Sequence, residues 1–298
     1  MQTAGFLGII LLARVVQAVF NKRTSNEIRG LAMTAVYSAY KFAISALLGL
    51  LLLLPSIGQT TVTWAAVGIA LFSGVSLMVA GFCSIYAMKS GTVCLDSMFG
   101  TAGLLIPVAA GALWFDQPVQ PLQIAGMGLF FVAAGLLMHS SRDICRNFSL
   151  KTVALLIGSM VSNGATMLAQ QLYTRYVPSG SVALFSFVSF AFVAVVGWPL
   201  ALVLRRLPEE RGRPLGLNRS LLLCGVALAA AVFVINQLAT TLTARMSPVI
   251  LFTVINGGAT IISTLVAALL YGERLTVRSV AGVLLGILSM VMIKMFGG

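Results

Sequence analysis

Three ionisable side chains, Arg14, Lys41 and Asp96, stand inside long apolar segments of this sequence. A charged group at the centre of a membrane helix costs about 2.5–3.5 kcal/mol, so it has to face protein or water. Two interpretations stay open for these groups. One of the bases forms a buried structural pair with Asp96, or at least one base faces a cavity and meets a substrate.

Uncharged polar residues recur in these apolar segments at spacings that place them on one face of a helix. The sets are Arg14, Gln17 and Asn21; Ser73, Ser76, Cys83 and Tyr86; Asn163, Thr166, Gln170 and Tyr173; Asn236, Thr240 and Thr243; Thr253, Asn256, Thr260 and Ser263. A single stripe is typical of hydrogen bonding between helices. Five stripes in one chain favour a shared polar cavity.

The charged residues and the stripes together predict a substrate-binding site. Its residues are Arg14, Gln17, Lys41, Tyr86, Asp96, Asn163, Gln170, Asn236 and Asn256. Two buried bases against one acid favour an anionic group, so Arg14 is expected to hold a carboxylate and the amides to bind polar groups. Aromatic residues that could form gates are Tyr37, Tyr40, Tyr86, Phe185 and Trp198, although such residues more often pack or anchor helices.

Enzyme chemistry has little support in this chain. One histidine, His139, and four scattered cysteines exclude a multi-histidine metal site and a CxxC pair. The sequence offers no Ser-His-Asp set, and its Gly-rich stretches are apolar rather than phosphate-binding. We therefore expect no enzyme activity, no cofactor and no metal.

Composition places the chain in the bilayer. It is 59% hydrophobic and only 9% charged over 298 residues, which a soluble domain cannot bury. Stretches of about 20 apolar residues predict membrane-spanning helices. There are ten such spans, at 3–20, 31–54, 63–88, 92–114, 119–138, 150–173, 181–204, 219–243, 247–271 and 276–296.

The net charge of +12 is explained by loops rather than by nucleic acid. Most Lys and Arg residues follow the odd-numbered spans, and basic residues gather in cytoplasmic loops. The odd-numbered links are therefore predicted to be cytoplasmic, with both termini outside.

The two halves of the sequence show weak internal similarity. An offset of 156 lays "LWFDQPVQPLQIAG" (113–126) on "LLYGERLTVRSVAG" (269–282), and an offset near 148 lays "YKFAISALLG" (40–49) on "VSFAFVAVVG" (188–197). This predicts a five-helix repeat at 1–138, a connecting loop at 139–149 and a second repeat at 150–298. Because five is odd, the second repeat must be inverted in the membrane, an arrangement common in secondary transporters.

Short motifs in this frame resemble the drug/metabolite transporter superfamily, in its ten-helix EamA-like branch. They are "GERLT" (272–276) between spans 9 and 10, "AYKF" (39–42) in span 2 and "LLIPV" (104–108) in span 4. The resemblance implies an all-α integral membrane fold of ten transmembrane helices in two inverted repeats. It also implies that helices 1–4 and 6–9 line a central path, while 5 and 10 pack at the periphery.

The expected function is secondary transport in the cytoplasmic (inner) membrane of a bacterium. The solute is expected to be a small polar metabolite, an amino acid or related carboxylate, moved by alternating access. Asp96 is the candidate for proton coupling, and the protein is expected to be a monomer or homodimer. Two alternatives stay open: an exporter of cationic amines with Asp96 as counter-ion, and a membrane scaffold that transports nothing.

Overall fold

The chain folds into helices wherever its structure is described. The computed structural model describes residues 2–89, 99–115, 120–139, 150–210, 215–271 and 277–295. Its α-helices are α1 (Gln2–Glu27), α2 (Leu31–Leu53), α3 (Trp64–Lys89), α4 (Leu105–Trp114), α5 (Pro121–His139), α6 (Leu150–Tyr176), α7 (Val182–Leu204), α8 (Arg219–Thr243), α9 (Pro248–Tyr271) and α10 (Val277–Met295). Residues 99–102 are also helical and precede α4.

Six of these helices, α1, α2, α3, α6, α7 and α8, are long and apolar enough to cross a membrane. The described parts of α4, α5, α9 and α10 carry shorter apolar stretches. Large apolar side chains such as Leu51, Val195 and Leu223 stay exposed on the outside of the bundle, where lipid would cover them. The prediction of an all-α integral membrane protein is confirmed.

Helix limits follow the predicted spans closely, with one clear difference at α1. The apolar stretch ends near residue 20, but the helix continues to Glu27. The polar segment after residue 20 contains no Gly or Pro, so nothing in it ends the helix. Gly30, with φ of 92°, makes the turn into α2, a backbone conformation that glycine adopts without strain. Asp96 and "GERLT" lie outside the described residues.

The helices α2 and α7 form the tightest pair, because glycines let their backbones approach. A Cβ added at Gly49 would lie 3.1 Å from the Phe187 backbone, and one added at Gly197 would lie 2.9 Å from the Ala39 Cβ. Phe42 and Phe190 stack between these contacts with ring centroids 5.5 Å apart. Each residue of α2 in this set has its counterpart 148 positions later in α7.

The other helices are arranged evenly around this pair. Helix α1 packs against α8 and α9, and α6 packs against α3 and α4. Helices α5 and α10 pack against each other at the side, where Ser289 Oγ donates to the Gly126 carbonyl at 2.7 Å. Exchanging each helix with the one five places later leaves these packing partners unchanged.

One end of the bundle is tied together by acids. We call it the basic end; there α1, α3 and α7 end and α2, α6 and α8 begin. The Glu27 carboxylate accepts hydrogen bonds from Asn218 at 2.9 Å and Ser220 at 2.8 Å, at the start of α8. The Glu210 carboxylate accepts from the backbone N–H of Leu31 at 2.9 Å and of Ala32 at 3.4 Å. It thereby caps α2 from a link 179 residues away.

Candidate functional site

Arg14 is the first residue to place, because a guanidinium carries five hydrogen-bond donors. It lies in α1 at about 20 Å from the basic end, by the helical rise of about 1.5 Å per residue. Its Nη1 donates to Gln17 Oε1 at 2.9 Å, one turn along the same helix. Its Nε is buried, with no hydrogen-bond partner within the described part of the chain. The guanidinium is thus only partly satisfied.

Lys41 lies at nearly the same depth, about 15 Å along α2 from the basic end. Its side chain is half-buried, and its ammonium group lies 4.5 Å from the centre of the Phe42 ring. Tyr37 and Ser45 lie one turn before and one turn after it on the same face. Ser45 Oγ donates to the Ala229 carbonyl at 3.0 Å, so this face of α2 meets α8. Lys41 therefore stands beside the interface of the two helices.

Neither cation has an acid beside it in the described ranges. The acids described there are Glu27, Glu209 and Glu210, and all three lie at the basic end. Two of them already accept hydrogen bonds at the starts of α8 and α2. The sequence-based alternative of a structural pair with Asp96 concerns a residue outside the described chain.

Asn163 shares the depth of Arg14, at about 20 Å from the basic end on α6. Its Nδ2 donates to the Ser159 carbonyl at 2.9 Å, and the group lies beside Gly100, 3.5 Å from a Cβ added there. Tyr86, by contrast, lies in the last turn of α3, near the basic end. The structure therefore places Arg14, Gln17, Lys41 and Asn163 in one layer, which we call the central layer, and Tyr86 away from it.

The amides Gln170 and Asn236 lie further from the basic end and bind each other. Gln170 Nε2 donates to Asn236 Oδ1 at 2.8 Å, and Asn236 Nδ2 donates to Ser186 Oγ at 3.2 Å. Ser186 Oγ in turn donates to Gln237 Oε1 at 2.9 Å. We call these four residues the amide network. It joins α6, α7 and α8, and Gln170, Ser186 and Asn236 are almost fully buried.

Asn256 of α9 lies near the depth of the amide network. Its Nδ2 donates to the Phe252 carbonyl of its own helix at 2.9 Å and contacts Met167 Sδ of α6 at 3.6 Å. Several hydroxyls of the predicted polar stripes also bond a carbonyl one turn back, as Thr166, Thr240 and Thr243 do. These stripe residues are therefore already satisfied without a solute, in contrast to Arg14.

Comparison with known families decides where this bundle belongs. The profile of the EamA-like transporter family matches residues 150–295. The chain belongs to the EamA-like transporter family. A solved crystal structure has the same fold, with a TM-score of 0.72, over 99% of this chain and 97% of the other, at 14% sequence identity. The search of curated proteins finds no match.

Two aromatic clusters close this EamA-like bundle on either side of the central layer. At the basic end, Tyr37 packs with Ile28, Met33, Leu221 and Leu228, and Tyr37 OH lies 3.2 Å from Thr24 Oγ1. Towards the opposite end, Phe185 packs with Ala66, Ala70, Ala169, Tyr173 and Val177. Tyr37 and Phe185 are 148 positions apart and fully buried. We call these the basic-end cluster and the opposite-end cluster.

The remaining gate candidates lie elsewhere in the EamA-like fold. Trp198 is 52% exposed, on the outside of the bundle. Tyr40 OH donates to the Leu222 carbonyl of α8 at 3.3 Å, which ties α2 to α8.

Sequence reasoning missed Ser186, the residue that joins the two amides of the network. Serine is common in membrane helices, so its type alone carries no signal. Its position does, because the 148-residue offset lays Ser38 of α2 on Ser186 of α7.

Proposed function

We propose that this membrane transporter moves a small anionic metabolite, an amino acid or related carboxylate, by alternating access. The observation that carries the proposal is Arg14, whose buried Nε has no partner in the described chain and whose side chain has only Gln17 as a hydrogen-bond acceptor there. A buried cation needs a partner with a negative charge or several acceptors. A solute carboxylate satisfies both needs, because two of its oxygens match the guanidinium fork.

Lys41 strengthens the preference for an anion. It stands about one helical turn in depth from Arg14, in a region where the described chain supplies no acid. Asn163 at the same depth offers an amide for a polar group of the solute. The basic-end and opposite-end clusters bound this layer on its two sides, as a site with alternating access requires.

The symmetric packing supports two inverted five-helix repeats at 1–138 and 150–298, joined by 139–149. The α2 and α7 glycines, the Phe42–Phe190 stack and the exchange of helix partners all fit one two-fold relation. In our proposal the repeats lie in the cytoplasmic membrane of a bacterium with the basic end inside. Asp96 is the proposed proton-coupling group, and the protein acts as a monomer or homodimer.

A thermal-shift screen of the purified protein tests the solute class. The panel contains amino acids, other carboxylates, amines, nucleosides and sugar phosphates. A ligand at about 100 times its Kd stabilises the folded state by about 2.7 kcal/mol, whatever the mechanism. We expect carboxylates to raise the Tm. A response only to cationic amines would instead support an exporter with Asp96 as counter-ion, and no response with no flux in proteoliposomes would support a scaffold.

Arg14→Ala and Arg14→Lys then test the carboxylate contact. Truncating one partner of a buried charge pair costs about 2–5 kcal/mol, so Arg14→Ala should weaken binding by about 30-fold or more. Arg14→Lys should retain part of the response, because it keeps the charge and loses the fork. The matched control is Arg23→Ala on the same helix, whose side chain is 61% exposed. A full response in Arg14→Ala would remove Arg14 from the site.

A further inference from the structure

The amide network closes the bundle between α8 on one side and α6 and α7 on the other. Helices α6 and α8 meet where Gln170 donates to Asn236, and α7 joins through Ser186. The network lies between the central layer and the end where α6 finishes. A solute that entered the central layer from that end would have to pass it.

The offset that relates α2 and α7 carries Ser186 onto Ser38. The same offset relates Gly49 to Gly197 and Ala39 to Phe187, whose contacts are reciprocal across the α2–α7 pair. The packing of α8 in one half corresponds to that of α3 in the other. Ser38 accordingly faces α3, where a Cβ added at Gly81 would lie 3.9 Å from Ser38 Oγ.

The two serines differ in their hydrogen bonds. Ser186 Oγ accepts from Asn236 and donates to Gln237. Ser38 is 2% exposed, and its Oγ has no hydrogen-bond partner in the ranges that the structure describes. It does not even bond the carbonyl one turn back, as Thr34 on the same helix does. A buried hydroxyl is normally hydrogen-bonded, so this one calls for an explanation.

We propose that Ser38 and Ser186 are the alternating hydrogen-bond positions of two equivalent seals. In the state seen here the amide network is made around Ser186, and the access from that end is closed. When that network breaks, Ser38 bonds across to α3 and closes the basic end instead. Two symmetric arrangements of one packing, with one made and the other unmade, are what an inverted repeat needs in order to alternate. This inference rests on the proposed alternating-access function.

Cysteine labelling tests the inference without a known solute. The reporter is Thr166→Cys in a chain whose four native cysteines are replaced by serine. Thr166 lies on α6, one turn closer to the central layer than Gln170, and its hydroxyl bonds only its own helix among the contacts described. A membrane-impermeant maleimide is added to intact cells, where it reaches the end opposite the basic end.

Ser186→Ala weakens the closed seal, so the labelling rate of the reporter should rise by about threefold or more. Ser38→Ala removes the bond that stabilises the alternative state, so the rate should fall by a similar factor. The control is Thr34→Ala, a buried α2 position one turn from Ser38, where we expect no change. The ratio of the three rates is the readout, and thermal melts confirm that each variant is folded.

Equal labelling in all variants would overturn the inference and leave alternating access standing, because the reporter would still become exposed. A Ser38→Ala rate equal to that of Thr34→Ala would do the same. Absence of labelling in every variant, Ser186→Ala included, would overturn the inference together with the proposed alternating access. A lower rate in Ser38→Ala with a higher rate in Ser186→Ala is the supporting result.

Discussion

Removal of the Glu210 carboxylate should destabilise a helix that is remote from it in sequence. Helix α2 begins at Leu31 after Gly30, which has no side chain to cap it. The free N–H groups of Leu31 and Ala32 are satisfied by the Glu210 oxygens at 2.9 and 3.4 Å. Glu210 is only 3% exposed, so water is poorly placed to replace it. The variants to compare are Glu210→Ala and Glu210→Gln.

The expected magnitude follows from the two hydrogen bonds. A hydrogen bond to a charged group contributes about 1.5–3 kcal/mol, and the longer of the two contributes less. Glu210→Ala should therefore lower the free energy of unfolding by about 2–4 kcal/mol. Glu210→Gln keeps one acceptor and loses the charge at the helix N-terminus, worth about 0.3–2 kcal/mol. Its loss should be about half as large.

Equilibrium unfolding of the detergent-solubilised protein by SDS measures these differences. Glu209→Ala is the matched control, since the neighbouring side chain is exposed and surface substitutions stay within about 0.5 kcal/mol. Hydrogen exchange at residues 31–34 should also speed up in Glu210→Ala and not in Glu209→Ala. If the two alanine variants unfold alike, Glu210 does not cap α2.

A double-mutant cycle with Gly30 sharpens the test. A Cβ at Gly30 would meet the Glu210 carboxylate oxygens, and φ there is +92°. Gly30→Ala should therefore destabilise the native chain by about 2 kcal/mol or more. In the Glu210→Ala background the steric part disappears, so the loss should be smaller by about 1 kcal/mol. Strictly additive losses would show that the two residues do not touch.

Three further substitutions probe the packing, each measured by the same unfolding experiment. Gly49→Ala and Gly197→Ala should each lower the free energy of unfolding by about 1–3 kcal/mol, because each adds a methyl group against the partner backbone; Gly68→Ala, with nothing within 4 Å, should not destabilise, and equal effects at all three sites would refute the close approach. Asn236→Ala removes two buried hydrogen bonds, at about 0.6 kcal/mol each and up to about 1.7, so a loss near zero would mean the network is not closed. Ser289→Ala should lose about 0.6 kcal/mol through its single bond to Gly126; a loss above 2 kcal/mol would point to a larger role for that pair.

The helices were predictable because length and apolarity determine what can cross a bilayer. Spans such as 31–54, 181–204 and 219–243 agree with α2, α7 and α8 to within a residue. Gly30 ends the extension of α1 where no apolar signal remains. What the apolar pattern could not give is the extension itself, since residues 21–27 are polar and form helix through local propensity and packing.

The partners of polar residues could not be predicted in the same way. Periodicity places Gln170 and Asn236 on the polar faces of their helices, but it does not say whether those faces meet a cavity or each other. The Glu210 cap of α2 joins residues 179 apart, and no local pattern marks such a contact. The 148-residue offset carries more information, because it relates Ser38 to Ser186 before any contact is known.

The contrast between the amide network and Arg14 has a chemical basis. An amide offers both donors and an acceptor, so Gln170 and Asn236 can satisfy much of each other's need in a dry interface. A guanidinium offers donors only, five of them in a rigid fork. One glutamine oxygen accepts from Arg14 here, and the described chain brings no carboxylate to the rest. Helix packing alone explains the amides, whereas a guanidinium at that depth needs an acceptor that arrives from outside the chain. This difference is why the anionic solute is assigned to Arg14 rather than to the amide network.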